Sequence, residues 1–103
     1  MFIHSVYFWL RNDLTRAQKE QFDSGLRSLT TIGHVRHGYI GVPAETNRPV
    51  IERSYSRALV LVFDDAAAHD AYQSDPVHDR FRSECGPLYS SIRIYDSVSD
   101  DRE

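Results

Sequence analysis

Phe2-Ile3-His4-Ser5-Val6-Tyr7-Phe8-Trp9-Leu10 is rich in aromatic and β-branched residues and stops at Arg11-Asn12-Asp13, which is the pattern of a strand. Its even face carries Phe2, His4, Val6, Phe8 and Leu10, and its odd face Ile3, Ser5, Tyr7 and Trp9. Both faces are largely apolar, so both must be covered. Tyr55 to Phe63 repeats this character, with Tyr55, Arg57, Leu59, Leu61 and Phe63 on one side and Ala58, Val60 and Val62 on the other. Two further stretches are weaker. His34 to Val42 is interrupted by Gly38 and Gly41 and suits a sheet edge. Ser91 to Val98 places Ile92 and Ile94 on one side.

The segments between these strands read as helices. Thr15 to about Ile32 opens with a capping box, Thr15-Arg16-Ala17-Gln18, in which hydroxyl and side-chain amide satisfy orphan backbone donors. Phe22, Leu26 and Leu29 form one apolar stripe, and Gly33 suits the C-cap. Pro43 to Ser54 is a polar loop. Asp64-Asp65 caps a short helix through Tyr72, and Asp75-Pro76 starts another, with aspartate at the N-cap and proline at the first helical position. Gly86-Pro87 ends it. The order is β-α-β-β-α-β. Two-sided apolar strands belong in the middle of a sheet, which predicts an α+β, ferredoxin-like fold: a four-stranded antiparallel sheet in spatial order 4-1-3-2 with both helical segments on one face. The other face then needs a partner, and a second copy of the same sheet is the economical one, so a homodimer is expected.

At 103 residues the chain makes one domain, expected to span residues 1–98, and the polar, acidic tail from Ser97 to Glu103 is expected to fray. A formal net charge of −3 with no basic face argues against nucleic acid. Cys85 is the only cysteine, which excludes an intrachain disulfide and a cysteine metal cluster and fits a cytoplasmic home. The N-terminus does not read as a signal peptide, and no apolar run approaches the roughly 20 residues that span a bilayer.

The pattern Tyr72-x3-Pro76-x-His78-x2-Phe81, with the His4 strand, the Thr15–Leu29 helix and the Tyr55–Phe63 strand, resembles the dimeric α+β barrel family, the stress-responsive A/B barrel domains. The resemblance covers about residues 2–97. It implies a sheet that pairs into a dimeric α+β barrel and a small-molecule pocket between sheet and helices. One member of the family, a polyketide cyclase, closes its substrate by an intramolecular aldol condensation, and the positions matching Tyr72 and His78 are its catalytic pair. Other members have no assigned reaction, and some are known as stress-induced, very stable assemblies. This chain departs from the cyclase at Arg57, a histidine there, and at Leu26, an aromatic residue there. Asp75 stands where many members have histidine before the proline.

On a continuous helix, residues six apart lie about 240° apart, on different sides. The break at Asp75-Pro76 lets Tyr72 and His78 converge. A neutral His78 could then remove a proton next to a carbonyl while the Tyr72 hydroxyl bonds the developing enolate. The helix N-terminus disfavours imidazolium at His78 while Asp75 and Asp79 favour it, a balance the sequence leaves open, with titration near neutrality as one outcome. The expected pocket lining is His4, Val6, Phe8, Phe22, Leu26, Arg57, Leu59 and Phe81. Arg57 either meets a ligand carboxylate or phosphate, or pairs with a protein carboxylate at the strand start. No metal and no cofactor are expected: His34 and His37 would point to opposite faces of a strand, and Asp65 and His69 read as a solvated helix pair.

Two functions follow. One is a cofactor-independent cyclase or isomerase acting on a small anionic or carbonyl ligand of polyketide or keto-acid type. The other is a non-enzymatic, stress-associated assembly protein in which Tyr72 and His78 only pack. A cavity reached by both side chains distinguishes the first from the second.

Overall fold

The computed structural model describes residues 1–100, so residues 101–103 of the expected tail lie outside it. The chain runs β1 (Phe2–Leu10), α1 (Arg16–Leu29), β2 (His37–Gly41), β3 (Arg57–Phe63), α2 (Ala66–Gln73), α3 (Pro76–Cys85), a 3-10 turn (Gly86–Leu88) and β4 (Tyr89–Val98). One sheet forms in the order β2-β3-β1-β4 with every neighbouring pair antiparallel, which is the expected 4-1-3-2 arrangement. The fold is ferredoxin-like, and the second helical segment is divided into α2 and α3.

The register of β1 sets which residues meet. His4 lies opposite Leu61 on β3 and Asp96 on β4, Val6 opposite Leu59 and Ile94, and Phe8 opposite Arg57 and Ile92. The even face of β1 is buried under the helices. Phe22 and Leu26 of α1 are fully buried, and Phe8 packs edge-on against Phe22 at a centroid distance of 5.1 Å and 77°. Phe81 and Cys85 of α3, Leu88 and Phe63 complete the core. The opposite face keeps its aromatic residues together: Tyr7 lies 5.0 Å from Tyr55 and 6.2 Å from Tyr95, and Trp9 lies 6.4 Å from Tyr55.

Several boundaries differ from the sequence expectation, each for a local reason. α1 stops at Leu29 because the hydroxyls of Thr30 and Thr31 donate to the carbonyls of Arg27 and Ser28 at 2.7 Å each. Those bonds do the work expected of a glycine cap, and Gly33 is not in the left-handed region. β2 is shorter than expected and His34 sits in the turn before it, so His34 and His37 do not share a strand. β3 begins at Arg57, because Ser56 closes the ladder with its amide on Phe8 O (2.7 Å) and its hydroxyl accepting from Leu10 N (2.9 Å). Tyr55 therefore leaves the face of Arg57 and Leu59 and joins Tyr7 and Trp9 on the other side. β4 starts earlier than expected, at Tyr89. Ser97 and Val98 do not fray: they pair with Ile3 and Phe2, and Ser99 N donates to Met1 O at 3.0 Å.

Gly25 lets α1 approach α3. A Cβ there would stand 2.5 Å from Cys85 Sγ and 3.1 Å from Phe81 Cδ1. Glycine inside a helix ordinarily costs about 1 kcal/mol relative to alanine, whereas overfilling a packed core costs about 1–3 kcal/mol. Gly25→Ala should therefore lower stability by about 1–2 kcal/mol in urea denaturation despite its better helix propensity. Cys85→Ala should relieve the clash, so the same change should cost less in that background. Equal effects in both backgrounds would show that the contact is not limiting.

Candidate functional site

Tyr72 and His78 are brought together by the break between α2 and α3. Asp75 leaves helical geometry (φ −68°, ψ 139°), its carboxylate accepts from Val77 N at 2.8 Å, and Pro76 opens the new helix. The backbone turns without losing its bonds: Asp75 N donates to Tyr72 O at 3.2 Å and His78 N to Asp75 O at 2.9 Å. The Tyr72 and His78 rings stand edge to face, with centroids 4.8 Å apart at 89°. Tyr72 is 1 % exposed and His78 9 %.

Both line a cavity of about 210 Å³ between the sheet and the helices. His4, Val6, Phe8, Leu59 and Phe81 line it too, as the sequence proposed. Phe22, Leu26 and Arg57 do not. The first two are fully buried in the core. Arg57 turns to α1, donating from Nε and Nη2 to the two carboxylate oxygens of Asp23 at 2.7 and 3.3 Å, and lines a separate depression with Arg11 and Lys19. A carboxylate of the protein occupies it, which was the structural alternative. The lining that sequence reasoning missed comes from β4 (Tyr89, Ile92, Ile94), from Leu29, and from Gln73 and Arg82. The even-face alternation of β4 was the signal for Ile92 and Ile94. Arg82 lacked one: it reaches back across the helix break to Gln73 Oε1 at 3.2 Å and pairs with Asp79 at 3.3 Å.

Burial favours the neutral forms of His4, Tyr72 and His78 in this cavity. Burial, then the Arg82 guanidinium, then His4 lower His78 to a pKa of about 4, and Asp79 only partly opposes them. The balance that the sequence leaves open therefore falls toward the neutral form, and Asp75 is occupied as a helix cap. His78 Nδ1 is buried and has no hydrogen-bond partner among the described residues. Burial pushes the Tyr72 hydroxyl up, so it stays protonated as a donor. His4 is lowered by burial, against the opposing effect of Asp96, to which its Nδ1 donates at 2.5 Å. Cys85 is buried and its thiol is raised to about 11, as befits packing and not a nucleophile. His69 is not a solvated partner of Asp65. Asp65 caps α2 through Ala68 N, and His69 turns inward to stack on Phe2 at 4.4 Å and 21°.

Residues 2–99 match the model of the stress responsive A/B barrel domain. The chain belongs to this family. Among solved structures, the A/B barrel resembles a Dabb family protein with a ferredoxin-like fold from Mesorhizobium loti, at 23% identity and TM-score 0.76, over 95% of each chain. It also resembles a dimeric ferredoxin-like protein of unknown function from Thermobifida fusca, at 20% identity and TM-score 0.76, over 95% of this chain and 90% of the other. A third likeness is to the hydroxynitrile lyase of Passiflora edulis, at 17% identity and TM-score 0.79, over 99% of this chain and 95% of the lyase. These identities speak for the fold alone. No curated protein matches the chain. No helix among the described residues is long and apolar enough to cross a membrane.

The depressed pKa of His78 gives this A/B barrel a defined acid sensitivity. The folded histidine resists protonation down to about pH 4, whereas the unfolded one takes up a proton near 6.5. Stability is therefore unaffected above that range, falls as pH drops from about 6.5 to 4, and has lost up to about 3 kcal/mol below it. His4 adds in the same direction. Thermal melts from pH 7.5 to 4 should show this fall, and His78→Gln should flatten most of it. An unchanged slope in the variant would assign the sensitivity to other groups.

Proposed function

We propose that the chain is a homodimeric pocket protein that abstracts a proton next to a carbonyl without a cofactor, as in cyclisation or isomerisation of a small polyketide-like or keto-acid substrate. The observation that carries this reading is a buried, neutral His78 with an unpartnered ring nitrogen, set edge to face against a protonated Tyr72 in one cavity. The apolar lining from Val6, Phe8, Leu59, Ile92 and Ile94 suits a hydrocarbon portion, and Arg82 suits a carboxylate or enolate oxygen. His78 takes the α-proton, the C–H electron pair moves into the carbonyl, and the Tyr72 hydroxyl bonds the resulting enolate oxygen. In a cyclisation the enolate carbon then attacks a second carbonyl, and the imidazolium returns its proton to the new alkoxide.

A base with a pKa of about 4 is weak in the unliganded cavity. An anionic substrate beside Arg82 offsets the guanidinium charge that helps to lower it, and so raises His78 toward a useful range. A lyase on the same fold, the Passiflora enzyme, supports an enzymatic reading. The neighbours described as dimeric support a homodimer, and its interface falls in this proposal on the open sheet face. That face holds a depression of about 470 Å³, lined by Ser5, Tyr7, Trp9, Glu52, Tyr55, Arg93 and Tyr95. A cytoplasmic location belongs to the same proposal and rests on the lone, buried Cys85.

The test is solvent deuterium exchange at the α-carbon of a panel of aromatic and aliphatic β-keto acids, followed by NMR. His78→Ala should slow exchange by about 10²–10⁴-fold, and Tyr72→Phe by about 10²-fold. Light scattering should show a dimer for both variants and a monomer for Trp9→Glu. Full exchange in His78→Ala would sink the mechanism. A dimeric wild type that exchanges nothing would favour the assembly function.

A further inference from the structure

Beside the Tyr72–His78 pair, three side chains from three separate elements converge: His4 of β1, His69 of α2 and Asp96 of β4. One donor atom from each lies within 4.8 Å of the other two. We propose that they form a binding site for a divalent transition metal of the zinc class, whose occupation the reaction proposed above does not require.

The donor set is the first argument. Two imidazole nitrogens and one carboxylate oxygen suit borderline-soft divalent ions and match the three-ligand shell that leaves a coordination position open. The gradation of burial is the second. The His4 and His69 side chains are 5 % and 12 % exposed, while Asp96 is 40 % exposed, so the site has a fixed inner wall and a solvent-side entry. The third is that packing holds both rings. His69 lies flat on Phe2 and meets Phe63 edge-on at 5.5 Å and 82°. His4 meets Phe63 edge-on at 6.5 Å and Tyr72 at 6.0 Å, and the two imidazole centroids are 4.8 Å apart. A fourth is an outer carboxylate: Asp70 Oδ1 lies 3.3 Å from His69 Nδ1, where it stabilises the tautomer that leaves Nε2 free to bind metal.

The adjustment needed is small and falls on the exposed partner. Ligand atoms in a tetrahedral zinc shell stand about 3.3 Å apart. The bond of 2.5 Å from His4 Nδ1 to Asp96 Oδ1 must therefore open by somewhat under 1 Å as the metal replaces the shared proton. His69 Nε2 must exchange its contact with Gln73 Nε2, now 3.2 Å, for the ion. Asp96 can rotate to accommodate both, because its side chain is exposed. A bound ion would clamp α2 to the edge strand β4. Because His4 also lines the cavity, metal loading and cavity ligands should influence each other. The candidates considered from sequence, His34 with His37 and Asp65 with His69, each lay within one short segment. This set spans 92 residues between His4 and Asp96.

The experiment uses the full chain, stripped with a chelator, titrated with zinc chloride by calorimetry and with cobalt(II) by absorption. One equivalent should bind with micromolar or tighter affinity, raise the melting temperature, and give the visible bands of low-coordinate cobalt. His69→Leu should weaken binding by roughly 100-fold or more, and Asp96→Asn by at least about 10-fold, without loss of circular-dichroism signal. A His34→Ala/His37→Ala double variant should bind as the wild type does. The proposal is overturned if zinc fails to bind at millimolar concentration. It is equally overturned if binding survives His69→Leu and Asp96→Asn, or vanishes in the double variant.

Discussion

Strand β1 is bonded on both edges, to β3 and to β4, and its side chains alternate between two environments with different tasks. His4, Val6 and Phe8 face the helices and the cavity, while Ile3, Ser5, Tyr7 and Trp9 face the open side of the sheet. Because the side-chain period of a strand is two, a slip of one residue would exchange these sets entirely. His4 would leave Asp96 and the cavity, and Tyr7 would enter the space now filled by Val6 and Phe8. The register is pinned by large buried residues on neighbouring strands, above all Leu59, Leu61 and Phe63. Site and core therefore share one constraint.

The cavity is assembled at some cost to stability. His4, Tyr72 and His78 are polar groups among Val6, Phe8, Leu59 and Phe81, and burying such groups is unfavourable where partners are missing. His4 is compensated by Asp96, whereas His78 Nδ1 is not. A buried, unpartnered nitrogen costs about 1–3 kcal/mol, a quantity that packing alone would remove by placing an apolar residue there. The helix break supplies the geometry at little cost, since the Asp75 carboxylate and the proline at the first helical position satisfy the new terminus. Among the described residues no peptide bond is cis and no φ is positive, and the unfavourable energy of the site sits in the electrostatics of its side chains.

Element order, strand order and the capping residues Thr15, Asp65 and Asp75 were legible in the sequence, because each follows from local alternation or from side chains within three positions of their partner. The convergence of Tyr72 and His78 was legible for the same reason, as a consequence of Asp75-Pro76. What local pattern does not encode is the pairing of residues far apart in the chain. Arg57 sits on a strand otherwise apolar, and nothing nearby marks Asp23, 34 residues away, as its partner. His69 follows Asp65 by one helical turn, which suggests a surface pair, yet the helix presents it to Phe2 and His4. Phe22 and Leu26 lie on the inward stripe of α1 as expected, but periodicity does not distinguish a side chain that fills the core from one that borders a cavity.

The two histidines of the cavity face opposite requirements, and this bears on what can occupy it. His4 already has a carboxylate beside it, so added negative charge brings it little. His78 has a guanidinium nearby whose effect Asp79 only partly offsets. A neutral apolar occupant would deepen its desolvation and hold it further from protonation, leaving it a poorer base. An occupant with a carbonyl and an anionic group at the Arg82 end does the reverse: it offsets the guanidinium charge and brings the Tyr72 hydroxyl an acceptor. Of the ligands that fit the apolar walls, those carrying both features relieve the most unfavourable energy on binding. These electrostatics support the acidic carbonyl compound proposed above on physical grounds separate from family resemblance.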